Sequence, residues 1–127
     1  MVIGSSTVNP ITSLNIQCSS GGTSDVKNLY YLKLRRRKFT ESTFTGIATL
    51  LESGPKLDTT APSDIQNRSP NITGSIDIGK KSGTMTLSIG AQGLACGDQA
   101  EFECSMNYLN TNNNGQTVID NKNFTVI

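Results

Sequence analysis

Three side chains in this sequence of 127 residues can form covalent cross-links: Cys18, Cys96 and Cys104. In an oxidising compartment thiols pair, and an odd count leaves one over. The chain has no histidine. That removes the usual general base, the usual zinc ligand and any Ser–His or Cys–His nucleophile pair. Carboxylate pairs can do acid–base chemistry without histidine. Here, however, Asp25, Asp58, Asp64, Asp77, Asp98 and Asp120 stand singly among turn residues, where Asp usually bonds its own backbone. The expectation is a chain without catalytic residues, metal or cofactor, whose chemistry is cross-linking and binding rather than turnover.

Arg35-Arg36-Arg37-Lys38 is the one dense charge run. It is expected at a hairpin between two strands, where a solvated loop is the plainest explanation. Its sharper reading is a site for an anionic ligand: an acidic glycan, a bacterial surface polymer or an acidic protein patch. Elsewhere charge is balanced, with 11 Lys plus Arg against 10 Asp plus Glu, so nucleic acid is not an expected partner. Asn67-Arg68-Ser69, Asn71-Ile72-Thr73 and Asn123-Phe124-Thr125 are N-glycosylation triplets, which a secreted chain can use. No stretch approaches the ~18 apolar residues of a membrane span, so no direct membrane insertion by this segment is expected. The opening MVIGSSTVNP lacks the charged and apolar regions of a signal peptide; Met1 fits an initiator placed before a domain cut from a longer protein.

The elements that must position these residues read as strands. Ser, Thr, Asn and Gly are abundant, and apolar residues recur every second position. The inward sets are Leu14, Ile16 and Cys18; Tyr30, Leu32 and Leu34; Met85, Leu87 and Ile89; and Ala100, Phe102, Cys104, Met106 and Tyr108. Ile72, Gly74, Ile76 and Ile78 share one side of another strand, and Phe44–Leu51 reads as a further one. Glu52–Pro70 reads as mostly connection, and NTNNNGQ as a hairpin loop with Asn114-Gly115 suited to positive φ. Seven to nine short strands with regular turns predict a single all-β domain over residues 1–127, a two-sheet sandwich.

Alternation turns Cys18 and Cys104 inward, so they can meet across the core. Closing so long a loop stabilises a fold by ~4–5 kcal/mol in the chain-entropy model. Cys96, ahead of Asp98, is then either a free, partly buried thiol or a bond to another domain or chain. Pairing of Cys96 with Cys18 is the remaining alternative, disfavoured because Cys104 is the one on an inward face.

The run Asp98-Gln99-Ala100-Glu101-Phe102-Glu103-Cys104 resembles the F strand of an immunoglobulin domain, whose mark is Asp-x-Ala/Gly-x-Tyr-x-Cys. ITGSIDIGKKSGTMTLSI looks like the D and E strands of a V-set domain, and Cys18 matches the B-strand cysteine. Two departures stand out. Phe102 replaces the usual Tyr, and Leu32 or Leu34 replaces the core Trp, so Met85, Met106 or Tyr30 is expected to fill the space. The resemblance implies a V-set-like, Greek-key immunoglobulin sandwich with a structural ion pair between Arg68 and Asp98. Within the superfamily the chain resembles a divergent invertebrate type, the immunoglobulin domains of molluscan fibrinogen-related immune proteins.

That resemblance implies an extracellular recognition domain, secreted or part of a cell-surface ectodomain, in innate immunity. Its partner would be a protein or glycan ligand on a microbial or cell surface. Ligand loops would lie in Ser19–Asn28, Tyr108–Gln116 and part of Glu52–Asp64. Homophilic adhesion through a homodimer is the rival, for which Tyr31 and Tyr108 are the visible aromatic candidates, and a structural spacer is the third reading.

Overall fold

The computed structural model describes residues 2–5, 14–21, 25–67, 69–77, 79, 81–89 and 100–124, with backbone alone at 2–5, 14, 64 and 122–124. Its strands are β1 (Val2–Ser5), β2 (Leu14–Ser19), β3 (Val26–Lys38), β4 (Thr45–Leu51), β5 (Gly54–Leu57), β6 (Asn71–Ile76), β7 (Gly83–Ile89), β8 (Ala100–Asn110) and β9 (Gly115–Phe124), with one helical turn, α1 (Ser63–Gln66). They form two antiparallel sheets, in the orders β1-β2-β7-β6 and β5-β4-β3-β8-β9. Alternation then does what it must: each strand turns one set of side chains into the gap between the sheets.

The core follows the inward sets closely. Ile16 and Cys18, Leu32 and Leu34, Met85, Leu87 and Ile89, and Ala100, Phe102, Cys104, Met106 and Tyr108 are all buried. Cys18 and Cys104 are disulfide-bonded across the sheets, 5.7 Å apart at Cα. Leu34 is the cross-strand neighbour of Cys104, and Met85 that of Cys18. Leu34 therefore takes the position beside the bridge, with Met85 and Met106 fully buried around it.

Four expectations change. Tyr30 is not inward: it is 42% exposed and Leu29 is buried instead. The β3–β8 register shifts between Leu29 and Tyr31, and a bulge adds a residue that slips the period by one. Glu52–Pro70 is not mostly connection, because it holds β5 and α1, and Ile65 and Ala61 are buried from it. The run Arg35–Lys38 is not a hairpin loop, since β3 continues through Lys38, paired with β8 up to Lys38↔Ala100. At the β8–β9 hairpin the positive φ falls on Asn113 rather than on Asn114-Gly115, with Asn110 Oδ1 accepting from the Asn112 and Asn114 amides at 2.9 Å.

Candidate functional site

Two antiparallel sheets packed face to face leave two outer faces for solvent, and here the two differ. On the four-stranded sheet the described outward positions are Asn15 and Gln17 (β2), Thr84, Thr86 and Ser88 (β7), and Asn71, Thr73 and Ser75 (β6). All are polar. Among the described residues the exposed large apolar ones are Tyr30, Phe39, Leu51 and Ile119, and all four belong to strands of the five-stranded sheet or to its β3–β4 turn.

Register arranges this second face in rows. Lys56, Thr49, Lys33, Ser105 and Ile119 are successive cross-strand neighbours from β5 to β9, a row about 19 Å long at ordinary strand spacing. Ser105 is buried between longer neighbours on either side. On one side lies Tyr31-Asn107-Thr117, in which the Asn107 amide donates to Thr117 Oγ1 at 3.2 Å. On the other side the rows are charged. Arg35 pairs with Glu103 at 2.9 Å and Arg37 with Glu101 at 2.8 Å. Arg37 also donates to the Glu41 carbonyl at 2.8 Å and lies over the Phe44 ring. Arg36 faces the opposite way and is buried. The basic run is thus a ladder in which two of the guanidiniums are matched by carboxylates from a strand more than 60 residues away.

A groove of about 280 Å³ opens at the β5 end of the central row, lined by Lys33, Thr49, Lys56, Asp58, Thr59 and Thr60. A second register shift builds it. Leu34 faces Ala48 and Arg35 faces Gly46, so Ile47 is the extra residue in β4. The Ile47 carbonyl accepts the Asp58 amide at 2.7 Å. That contact brings the segment after β5 back over the sheet. Asp58 is 8% exposed, with Oδ1 accepting the Thr49 hydroxyl at 2.7 Å and Oδ2 lying 3.2 Å from the Lys33 ammonium. A Cβ on Gly46 would stand 2.7 Å from Asp58 Oδ2 and 3.1 Å from Lys33 Cε, so the missing side chain is what admits the carboxylate.

The expected ligand loops meet only in part. Lys27 bonds Asn113 at 2.5 Å, the Thr111 amide donates to the Asp25 carbonyl at 3.0 Å, and the Tyr108 hydroxyl donates to Asp25 Oδ1 at 3.2 Å. Asp25 and Lys27, at the start of β3, are therefore tied to the β8–β9 hairpin. Burial and the Asp25 carboxylate together push the Tyr108 pKa above its ordinary value. Tyr108 is a core residue rather than an exposed aromatic. The segment from Asp58 onward leaves that end and lies against β4 instead. Of the triplets, Asn67 and Asn71 are exposed, while the Asn123 side chain, Cys96, Arg68 and Asp98 lie outside the described residues, and with the last two the expected ion pair. Among the described residues no cluster of three metal-ligating side chains occurs, and no helix is long and apolar enough to cross a membrane.

The solved structure of murine CRIg shares this arrangement, with a TM-score of 0.67 at 14% identity over 99% of this chain and 97% of that one. At that identity the likeness speaks for the fold alone. The chain is an all-β, immunoglobulin-like sandwich of V-set, Greek-key type. No protein-family model and no curated protein matches the sequence. In this fold β3, β4, β5, β8 and β9 form the sheet to which variable-type domains add two strands. What the sequence did not reveal is the groove: Asp58 reads as one more turn aspartate, and nothing local marks Gly46 as its counterpart.

Proposed function

We propose that this chain is an extracellular recognition domain that binds its ligand through the outer face of the five-stranded sheet. The observation that carries the reading is the asymmetry of the outer faces. Every exposed large apolar side chain among the described residues lies on this sheet or its turn, whereas the described outward positions of β2, β6 and β7 on the opposite face are Asn, Gln, Thr and Ser. Single exposed apolar side chains are ordinary on any surface, so it is their confinement to one of the two sheets that supports the reading. The buried disulfide supports an oxidising, extracellular setting. Asn71 and Thr73, both exposed on the four-stranded sheet, would place a glycan away from the proposed surface. The sequence resemblance to molluscan fibrinogen-related immune proteins supports innate recognition of a microbial or cell-surface protein or glycan.

The test is a binding screen against microbial surfaces and glycan arrays, with charge placed on either face. Ile119→Arg and Leu51→Arg should abolish capture, while Thr84→Arg and Ser75→Arg should leave it intact. Equal loss from both faces, or none from either, would refute the assignment. The same exposed Ile119 and Leu51 favour a second reading, homophilic adhesion. Sedimentation separates the two: concentration-dependent dimers broken by Ile119→Arg support adhesion, and a monomer that retains capture supports recognition of a foreign ligand.

A further inference from the structure

We infer that the groove between β4, β5 and the Asp58–Thr60 segment is a subsite for a sugar residue bearing a carboxylate. The inference rests on the reading of this sheet face as the binding surface, and names a ligand class for one end of it. All six side chains that line the groove are polar. Its volume of about 280 Å³ is just below the range of ligand pockets, about 300–1,000 Å³, so it suits one ring rather than an extended peptide.

Charge and hydrogen-bond direction select the ligand. Two ammonium groups, Lys33 and Lys56, face one carboxylate, Asp58, which leaves an excess of one positive charge. Lys33 is held by Asp58 at 3.2 Å, and exposed Lys56 at the rim is the cation available to an incoming anion. Thr49 already donates its hydroxyl proton to Asp58, and Thr60 donates its own to the Gly46 carbonyl at 3.2 Å. Each of these hydroxyl oxygens therefore keeps acceptor capacity. A bare anion offers only acceptors and would leave that capacity unused. A ligand that carries hydroxyl donors beside one carboxylate uses both, and that is the chemistry of a uronic or sialic acid. The site is preorganised, because the extra residue Ile47 and the missing side chain of Gly46 fix Asp58 and Lys33 before any ligand arrives. Bulges often re-aim side chains at functional sites in this way.

The experiment is amide-resolved NMR titration of the domain with glucuronate, N-acetylneuraminate, glucose, acetate and a glutamate-rich peptide. The expected result is saturable shifts confined to Lys33, Thr49, Lys56 and Asp58–Thr60 with either acidic sugar, and much weaker ones with glucose and acetate. Lys56→Gln, a change at an exposed residue that leaves the fold alone, should weaken acidic-sugar binding about tenfold or more. Thr84→Arg, on the opposite sheet, should not. No saturable shift with either sugar, equal shifts with acetate, or preference for the acidic peptide would overturn the inference. If the groove is silent while Ile119→Arg still abolishes capture in the surface screen, this inference fails and the binding-face reading stands. If neither responds, both fail.

Discussion

Removal of the Cys18–Cys104 bridge gives the sharpest quantitative expectation. The two residues are 86 apart in sequence and both fully buried. The chain-entropy relation for a loop of that length gives about 4–5 kcal/mol of stabilisation, acting through the unfolded state. A domain of this kind has about 5–15 kcal/mol in all, so the loss would take from roughly a quarter of it to nearly all. Cys18→Val with Cys104→Ala keeps much of the buried volume, and a Cys96→Ser background prevents thiol exchange in both proteins. Urea unfolding followed by far-UV circular dichroism should show stability reduced by about 4 kcal/mol. The slope against urea should also rise, because an unstapled unfolded chain exposes more surface. A loss under about 1.5 kcal/mol with an unchanged slope would refute the entropic reasoning.

Three further outcomes follow from single contacts. Leu29→Ala should cost about 2–5 kcal/mol, while Tyr30→Ala should cost well under about 1 kcal/mol, measured by the same urea curves; the reverse order would place the bulge elsewhere. Gly46→Ala should destabilise by about 1–3 kcal/mol and lose the amide shift pattern of Asp58, as the added Cβ meets Asp58 Oδ2. The raised pKa of Tyr108 means that its neutral form is the one the fold stabilises. That contribution is present below about pH 10 and lost as pH rises through the folded-state value. The stability gap between the wild type and Tyr108→Phe should therefore narrow in alkali, as read from urea midpoints at neutral and alkaline pH.

Much of the sandwich was legible because Thr84–Ile89 and Ala100–Tyr108 carry an unbroken two-residue period. A strand with one buried face can satisfy that period in a single way. The misreadings share a cause in contacts distant along the chain. In NLYYL, Leu29 and Tyr30 are both apolar, so a one-residue slip leaves no mark in the pattern. Four consecutive cations look like a solvated turn until Glu101 and Glu103, on β8, are found opposite Arg37 and Arg35. Gly54 and Pro55 conceal β5, an edge strand whose proline does not need to donate to a further neighbour. Ala61 and Ile65, four apart and both buried, were the only sign of α1 in a polar stretch.

The two register shifts also explain why the proposed binding face is shaped as it is. A regular five-stranded sheet with strict alternation would present a flat polar lattice, suited to no ligand in particular. The shift in β3 moves Tyr30 out of the core and onto the surface beside Tyr31. The shift in β4 buries both Ile47 and Ala48, and the extra carbonyl it supplies draws Asp58 over Gly46. One irregularity thus adds an aromatic ridge near one end of β3, and the other adds a walled groove at the β5 edge. The charged ladder of Arg35, Arg37, Glu101 and Glu103 lies between the β3–β4 turn and the central row, where β3 and β8 pair without a shift. Its half-buried ion pairs are near-surface contacts of the kind each worth little, typically about 1 kcal/mol or less, but they cancel two of the four charges of the basic run. With two of its guanidiniums matched by carboxylates, the four-residue basic motif is a weaker lure for an anion than its sequence suggests, and exposed Lys56 at the groove is the cation the proposed subsite relies on.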